Sequence, residues 1–411
     1  MANVLTPVDV YTIVNEMNKN MFGSNALTAV DTSSFVTVGE AMLRSGVENT
    51  LNALGLVVGR TVVAVRPYDG MFRLTEFTDD SWGAIQRKIS YYWDGCEQAT
   101  DWNTDWNTDK AQKQLKDGNS IDMYKIHKRY PLEIRFCGIK VLQKSYTTWL
   151  YQLERAFKSE AEFSAFFVGQ ATEVRNELNM IREAENRLTV LNAIGATYNT
   201  GAAASKRNLT KLFNDEYGTT YTTAQLLNEH IKEFTEFYIV QLKNDMDMLK
   251  GNHDLYHLTP DKNDDAGQPL KLLRHTPMEY QRLYLYKPLV RKTEARVMAE
   301  IFNDNYLKLP QYEGVMYWQN PSAPSKVNVT PNQLNIKDGS SKTGDTVDLK
   351  QVVGILYDRD AIGTHYHIDR VLTTPVNAKG AYYNTVYHWA KDHQLDQTEN
   401  IILYYMEDSE A

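Results

Sequence analysis

The stretch SEAEFSAFFVGQATEVRNELNMIREAENRLTVLNAIG, residues 159–195, decides the fold predicted for this chain. It opens with a capping box, because Ser159 precedes Glu162 by three residues. Apolar residues then recur at steps of three and four and predict one continuous apolar stripe: Phe163, Phe167, Ala171, Val174, Leu178, Ile181, Ala184, Leu188 and Leu191. Gly195 is placed to end the helix. At 1.5 Å per residue, such a helix would be about 50 Å long.

A helix of this length is typical either of an ordinary protein core or of a coiled-coil seam. Gly169 in the interior and the small residues Ala171 and Ala184 on the stripe argue against a coiled coil. They favour a helix that lies across a sheet or against a neighbouring subunit.

Composition narrows the possible functions. The 411 residues include 44 Lys plus Arg and 52 Asp plus Glu, a net charge of −8, and no stretch forms a basic tail or stripe. Strong electrostatic binding of nucleic acid is therefore not expected. Cys96 and Cys137 are predicted to be free thiols in a reducing compartment, with one disulfide as the open alternative. Neither a signal peptide nor an apolar run of about 20 residues is present, which predicts a soluble cytoplasmic protein without membrane contact.

Two strands with a long polar segment between them predict an antiparallel ribbon. In the first strand the apolar residues Ile85, Ile89, Tyr91 and Trp93 alternate with polar ones, and in the second strand Leu132, Ile134 and Phe136 do so. The segment between them contains a tandem Asp-Trp-Asn-Thr repeat at residues 101–104 and 105–108. Trp102 and Trp106 on this polar loop suggest a partner that covers them, although a local aromatic cluster is equally compatible with the pattern.

Helices and strands alternate irregularly along the rest of the chain. The patterns predict helices at 7–21, 35–54, 222–250 and 289–302, strands at 61–65, 282–286, 352–357, 381–390 and 401–406, and an irregular excursion at 321–348. The first helix is either an arm that packs on another subunit or simply the start of the domain. This order indicates an α+β fold and not repeated βαβ units.

No motif supports catalysis. His365 and His367 would share a strand face with Asp369 and could hold a metal ion, but no partner cluster is visible in the sequence. His253 and His257 are spaced for a helix where none is expected. Ser340–Thr343 lacks the glycines of a phosphate-binding loop, and the segment from Asp261 lacks the glycine and glutamate of a calcium loop. We therefore expect no enzymatic activity, no catalytic residue, no metal and no cofactor.

The order of parts resembles that of the major capsid protein of tailed bacteriophages, the Hong Kong 97-type fold. The parts are an N-terminal arm, a ribbon, a long helix, a second α/β region and closing strands. The late segment carries the more specific likeness: VGILYDRDAIG at 353–363, TTPVNAKG at 373–380, YHW at 387–389 and IILYY at 401–405.

The resemblance implies a domain order. It implies an arm and first helices at 1–60, an extended loop at 61–145, a peripheral domain with the spine helix at 146–200, an axial domain at 201–370 and closing strands at 371–411. It also implies that the protein assembles with itself into pentamers and hexamers of an icosahedral shell around double-stranded DNA, held without sequence-specific contacts. Scaffolding and portal proteins would be further partners, and assembly in the bacterial cytoplasm would precede residence in the virion.

Intersubunit contact is expected from Trp102, Trp106, Trp93 and Tyr91, which belong to the ribbon and its tip. Two other functions stay open. An encapsulin-like nanocompartment would share the fold and enclose protein cargo. A soluble metal-dependent enzyme would use His365 and His367.

Overall fold

The computed structural model describes most of the chain. The described residues are 7–23, 27–45, 50, 53, 70–78, 85–93, 124, 128–138, 140–157, 160–264, 267–296 and 311–408. At a few positions within these ranges, including Phe167, Ala171, His367 and Asp369, only the backbone is described. The strand predicted at 61–65 lies outside the described residues.

The described helices are α1 (Pro7–Phe22), α2 (Thr32–Arg44), α3 (Leu150–Ala156), α4 (Glu160–Thr200), α5 (Leu209–Tyr217), α6 (Thr223–Asn228), α7 (Ile231–Met248) and α8 (Lys287–Arg296). None of these helices is long and apolar enough to cross a membrane. The strands are β1 (Glu76–Thr78), β2 (Ile85–Tyr91), β3 (Pro131–Cys137), β4 (Lys140–Trp149), β5 (Lys206–Asn208), β6 (Gln281–Tyr286), β7 (Gln311–Val315), β8 (Val327–Val329), β9 (Asn332–Leu334), β10 (Ser341–Thr343), β11 (Val347–Leu349), β12 (Gln351–Asp358), β13 (Ile362–Thr373), β14 (Tyr382–Leu395) and β15 (Ile401–Met406). The chain is α+β, as predicted.

A five-stranded sheet in the order β5-β15-β12-β6-β7 forms the centre of the largest hydrophobic core. Its middle strand, β12, is antiparallel to both neighbours, and the outer strands β5 and β7 are parallel to theirs. The apolar face of α7, with Phe234 and Leu242, belongs to the same core as Ile355 and Leu403 of the sheet. The apolar runs of β12 and β15 are buried at nearly every position, as expected for strands with both faces covered.

A second sheet has four strands in the order β1-β13-β14-β4, and α4 packs on it. The predicted arrangement of the long helix across a sheet is therefore confirmed. Part of the contact is polar. Asn186 donates to Glu76 at 2.6 Å and accepts from the Tyr366 hydroxyl at 3.0 Å, and Thr189 lies 3.0 Å from the Thr364 hydroxyl.

The prediction of one continuous buried stripe along α4 is wrong in the second half of the helix. Leu191 is buried, but Leu188 is 53% exposed and Ala184 is also exposed, whereas Glu183 and Asn186 are buried. Asn186 can turn inward because Glu76 of β1 and Tyr366 of β13 supply its hydrogen-bond partners, and Glu183 is paired within the helix with Arg187. Periodicity in the sequence shows where the apolar residues lie along the helix. The residues that the sheet offers to α4 decide which face of the helix is buried.

Gly195 does not end the long helix, which continues to Thr200. The backbone at Gly195 lies so close to the end of β8 and the residues after it that an added Cβ would be 2.7 Å from Val329 Cγ1 and 3.1 Å from Pro331 Cβ. The glycine therefore permits close packing on a neighbouring element and is not a helix cap.

We expect Gly195→Ala to destabilise the protein. A helical Gly→Ala change normally gains about 1 kcal/mol, but overpacking of a filled interior costs about 1–3 kcal/mol. Urea unfolding should show a net loss for the single variant. Adding Val329→Ala should recover part of it, because the methyl group that clashes is removed. A Gly195→Ala protein more stable than the parent would contradict this packing argument.

The N-terminal helix packs on its own chain. Val10, Val14 and Met17 of α1 are buried in one cluster with Phe35 of α2 and Phe163 of α4. The sequence offers Thr32, Ser33 and Ser34 as N-caps for this helix, but the N-cap residue is Asp31, in a reciprocal capping box with Ser34. The helix ends at Arg44, before the predicted end at residue 54.

The predicted helix at 222–250 is interrupted. Thr222 and Gln225, which have the spacing of a capping box in the sequence, do form one, but α6 ends at Asn228. The N–H groups of Glu229 and His230 both donate to Gln225 O, and His230 then precedes α7 with its ring stacked on Tyr221 at 4.1 Å. The excursion predicted as irregular at 321–348 contains two nested antiparallel strand pairs, β8 with β11 outside and the hairpin of β9 with β10 within it.

Candidate intersubunit surface

The predicted two-stranded ribbon is formed by β2 and β3. The strands are antiparallel, and the register places Ile89 opposite Glu133 and Ser90 opposite Leu132. Residues directly opposite each other in an antiparallel pair share one face. The apolar residues of β2 and those of β3 therefore lie on opposite faces of the ribbon, although each strand alternates as predicted.

One face of the ribbon is an exposed apolar row. Ile89, Tyr91 and Trp93 follow each other along β2 and just past it, with 49%, 58% and 54% of their surface exposed. We call this row, with Arg87, Pro131, Glu133 and Arg135, the outward face. The described polar residues between them, Lys88 and Ser90, face the body of the chain instead.

Charged side chains lie beside the apolar row, at the end of the ribbon nearer Ile85. The guanidinium groups of Arg87 and Arg135 lie 2.8 and 2.5 Å from Glu133 Oε1. Hydrogen bonds from Arg135 and then Arg87 lower the pKa of the Glu133 carboxyl. An apolar centre with a paired polar rim is the usual anatomy of a protein–protein contact.

The other face of the ribbon, which we call the inward face, contacts the body of the chain. Lys88 pairs with Asp396 and Glu399, Ser90 accepts from Arg274 at 2.8 Å, and Tyr92 is buried. Burial raises the pKa of Glu399 although Lys88 and Arg274 oppose this. Burial lowers the pKa of Lys88, but the two carboxylates outweigh that effect and raise it overall.

The four residues predicted to make intersubunit contacts divide into two pairs. Tyr91 and Trp93 lie together on the outward face, where the structure leaves them exposed. Trp102 and Trp106 lie outside the described residues. For all four, contact with another subunit stays a prediction.

Two further exposed groups were not singled out from the sequence. Met180 is 56% exposed, and with Ala184 and Leu188 it forms a row at steps of four on the uncovered side of α4. Trp149 and Tyr151 lie where β4 meets α3, and the Trp149 ring stands 5.4 Å from that of Tyr382. The apolar stripe predicted from the sequence included Ala184 and Leu188, but only the packing shows that these positions remain uncovered.

The histidines considered as metal ligands are placed in other contacts. His365 Nε2 lies 2.8 Å from Gln394 Oε1, and its ring stacks on Phe77 at 4.8 Å. His257 uses both ring nitrogens, toward Asn400 Oδ1 and Leu272 O. His253 Nε2 lies 2.7 Å from Met248 O. The side chain of His367 is not described. Within the described side chains, no three His, Cys, Asp or Glu groups could hold a metal ion together.

No protein-family model matches the sequence, and no curated protein matches it. Solved structures are similar in fold. A chain in the capsid structure of Staphylococcus phage Andhra aligns with a TM-score of 0.52 and 9% identity, over 83% of this chain and 85% of that chain. A chain in the structure of the head fiber and inner core protein gp22 of native bacteriophage P68 aligns with a TM-score of 0.50 and 12% identity, over 83% of this chain and 86% of that chain.

At identities this low the likeness is one of fold. It extends over most of the chain, and it agrees with the resemblance carried by the late segment of the sequence. This chain has a fold shared with a chain of a phage capsid structure.

Proposed function

We propose that this protein is the major capsid protein of a tailed bacteriophage. Its copies would form pentamers and hexamers of an icosahedral shell that encloses packaged double-stranded DNA. The fold shared with a chain of the Staphylococcus phage Andhra capsid, over 83% of this chain, carries the proposal.

The outward face of the ribbon supports self-assembly. Soluble monomers rarely leave contiguous apolar patches uncovered, and such patches mark contacts with other molecules. Ile89, Tyr91 and Trp93 together form such a patch on the outward face of the two-stranded ribbon. In a shell built of one protein, the partner that covers this patch is a second copy of the same chain.

Each region then has a role in the shell. The ribbon and its tip, with Trp102 and Trp106, would lie over a neighbouring subunit. The long helix α4 would give the rigid body, and the region with α5, α6 and α7 would face the fivefold and sixfold axes. Arms and loops that adapt around a rigid body allow one sequence to occupy non-identical positions.

The proposed partners follow from the same role. Besides other copies of itself, the chain would meet scaffolding and portal proteins during assembly in the bacterial cytoplasm, and then DNA within the virion. The net charge of −8 suits an inner wall that does not hold DNA tightly. The role requires no cofactor and no catalytic residue.

Electron microscopy of the freshly purified protein, together with its sedimentation profile, tests the proposal. We expect uniform icosahedral shells or rings of five and six subunits. Shells that contain protein cargo in place of DNA, when isolated from infected cells, would favour the nanocompartment. A monodisperse monomer or dimer at high concentration, with scaffold co-expressed, would overturn the shell proposal. Stoichiometric metal lost on replacing His365 and His367 would then favour an enzyme.

A further inference from the structure

We infer that Lys88 is a positioning residue that locks the ribbon onto the body of its own chain. It does so through Asp396 and Glu399, two carboxylates in the turn between β14 and β15. The lock fixes which face of the ribbon is free to meet another molecule.

The ionic contact is enclosed. Lys88 Nζ lies 2.5 Å from Asp396 Oδ2 and pairs as well with Glu399 Oε1, and the side chains of the two acids are 1% and 10% exposed. Arg274 Nε approaches the same Glu399 oxygen at 3.1 Å. Two cations thus face two carboxylates, so the cluster is neutral. Pairs on an open surface contribute little, but breaking an enclosed pair leaves a charge without compensation.

Arg274 extends the lock to a second strand position. Its Nη2 donates to Ser90 Oγ at 2.8 Å, and its Nε donates to Thr398 O at 3.0 Å. One guanidinium therefore joins the ribbon to the same turn that holds Lys88. Asp396 is itself oriented, because its Oδ1 accepts from the Thr398 N–H at 2.9 Å and the Thr398 hydroxyl at 2.6 Å.

The end of the ribbon beyond β2 is held by backbone and apolar contacts. The Trp93 N–H donates to Lys271 O at 2.8 Å, and the Tyr92 hydroxyl donates to Pro260 O at 3.1 Å. The Tyr92 ring packs in a small core with Leu270 and Leu272. The ribbon is therefore held from the Lys88 side chain to the Trp93 backbone, by segments about 170 to 310 residues distant in the chain.

The consequence for assembly rests on the proposed function. With the inward face held, only the face carrying Ile89, Tyr91 and Trp93 can meet a neighbouring subunit, and its direction relative to the five-stranded sheet is set before contact. A ribbon that is already held in place loses less conformational entropy when it binds than a mobile ribbon would.

Hydrogen exchange of the dispersed full-length chain tests the lock without requiring a shell. The variant is Lys88→Met, and the matched control is Arg87→Met, one residue away on the outward face. We expect amides of β2 and β3 to exchange at least about tenfold faster in Lys88→Met, and to change less than about twofold in Arg87→Met. Amides of β12 and β15 should keep their parent rates in both variants.

Two more variants separate positioning from a general loss of folding. Lys88→Arg keeps the charge and should return the ribbon rates to within about threefold of the parent. If Lys88→Met does not fold, the triple variant with Asp396→Asn and Glu399→Gln removes the unpaired carboxylates and should fold with a fast-exchanging ribbon. Parent-like ribbon rates in Lys88→Met, or in the triple variant, would overturn the lock.

Assembly of the same variants gives a separate result. Fast ribbon exchange together with fewer or misshapen Lys88→Met shells supports the lock and its role in presentation. Fast exchange with normal shells supports the lock and overturns its role in assembly. If even the parent chain forms no shells, the proposed function fails, while the exchange result still decides the lock.

Discussion

Replacing Tyr91 and Trp93 together by alanine should yield a folded subunit that fails to form shells at concentrations where the parent assembles. Both side chains are more than half exposed, so their removal takes little from the core. Tryptophan and tyrosine at the centre of a contact each contribute about 2 kcal/mol or more when truncated. A loss of about 2 kcal/mol weakens each contact about 30-fold, and a shell repeats the contact at every subunit.

Sedimentation and negative-stain microscopy measure assembly, and urea unfolding of the dispersed chain measures folding. The matched control is Arg135→Gln, which alters the polar rim of the same outward face. Rim charges contribute little, so this control should still assemble. If the Tyr91 and Trp93 double variant assembles like the parent, the outward face is not the contact. A large drop in its unfolding free energy would show instead that the two rings stabilise the fold.

Removing the carboxylate of Glu185 should destabilise the subunit by about 1–3 kcal/mol, because it leaves the buried amine of Lys391, whose pKa burial lowers to about 8, without its partner. Glu185 of α4 pairs with Lys391 of β14, whose side chain is 0% exposed. The same carboxylate lies 3.1 Å from His393 Nε2, and His393 Nδ1 is 2.7 Å from the Thr189 hydroxyl. The cluster thus joins the long helix to the four-stranded sheet at its centre.

Urea unfolding of Glu185→Ala measures this loss. The double variant Glu185→Leu with Lys391→Met should recover most of it, since an apolar pair of similar volume needs no desolvation of charge. Glu40→Ala is the control, because it breaks an exposed helical pair with Arg44 and should change the unfolding free energy by about 0.5 kcal/mol or less. A loss below about 1 kcal/mol for Glu185→Ala would mean that Lys391 finds another partner or reaches water.

The local signals in the sequence predicted the elements well. The long helix was predicted at 159–195 and spans Glu160–Thr200, and both ribbon strands appear where alternation placed them. The capping box of Thr222 and Gln225 is also formed. These features depend on side chains three or four residues apart, or on strict alternation, so a short window contains the required interactions.

Some errors arise where a distant segment decides the outcome. Glycine at position 195 is typical of a helix C-cap, yet here it allows Val329 and Pro331 to pack closely against the helix backbone. Val329 and Pro331 are not part of the local pattern that suggested a helix cap there. The break at residues 229–230 in the helix predicted at 222–250 is a local feature that the apolar periodicity did not mark.

For the candidate surface, the sequence supplied the residues but not the face. It indicated Tyr91 and Trp93 as contact residues, and it could not show that β2 turns them away from the body, because that depends on the pairing of Lys88 with Asp396 and Glu399 about 300 residues later. The row of Met180, Ala184 and Leu188 likewise stays uncovered because another side of α4, which carries Asn186 and Thr189, faces the sheet and bonds to β1 and β13.

The sequence by itself determined the α+β class, the long helix, the ribbon and the resemblance to phage capsid proteins in its closing strands. All of these are encoded in local periodicity or in short runs of residues. Tertiary structure alone decided which face of each element is buried and which is left for another molecule. The physical reason is that burial depends on the sum of hydrogen bonds, charges and packed surface supplied by segments far apart in the chain.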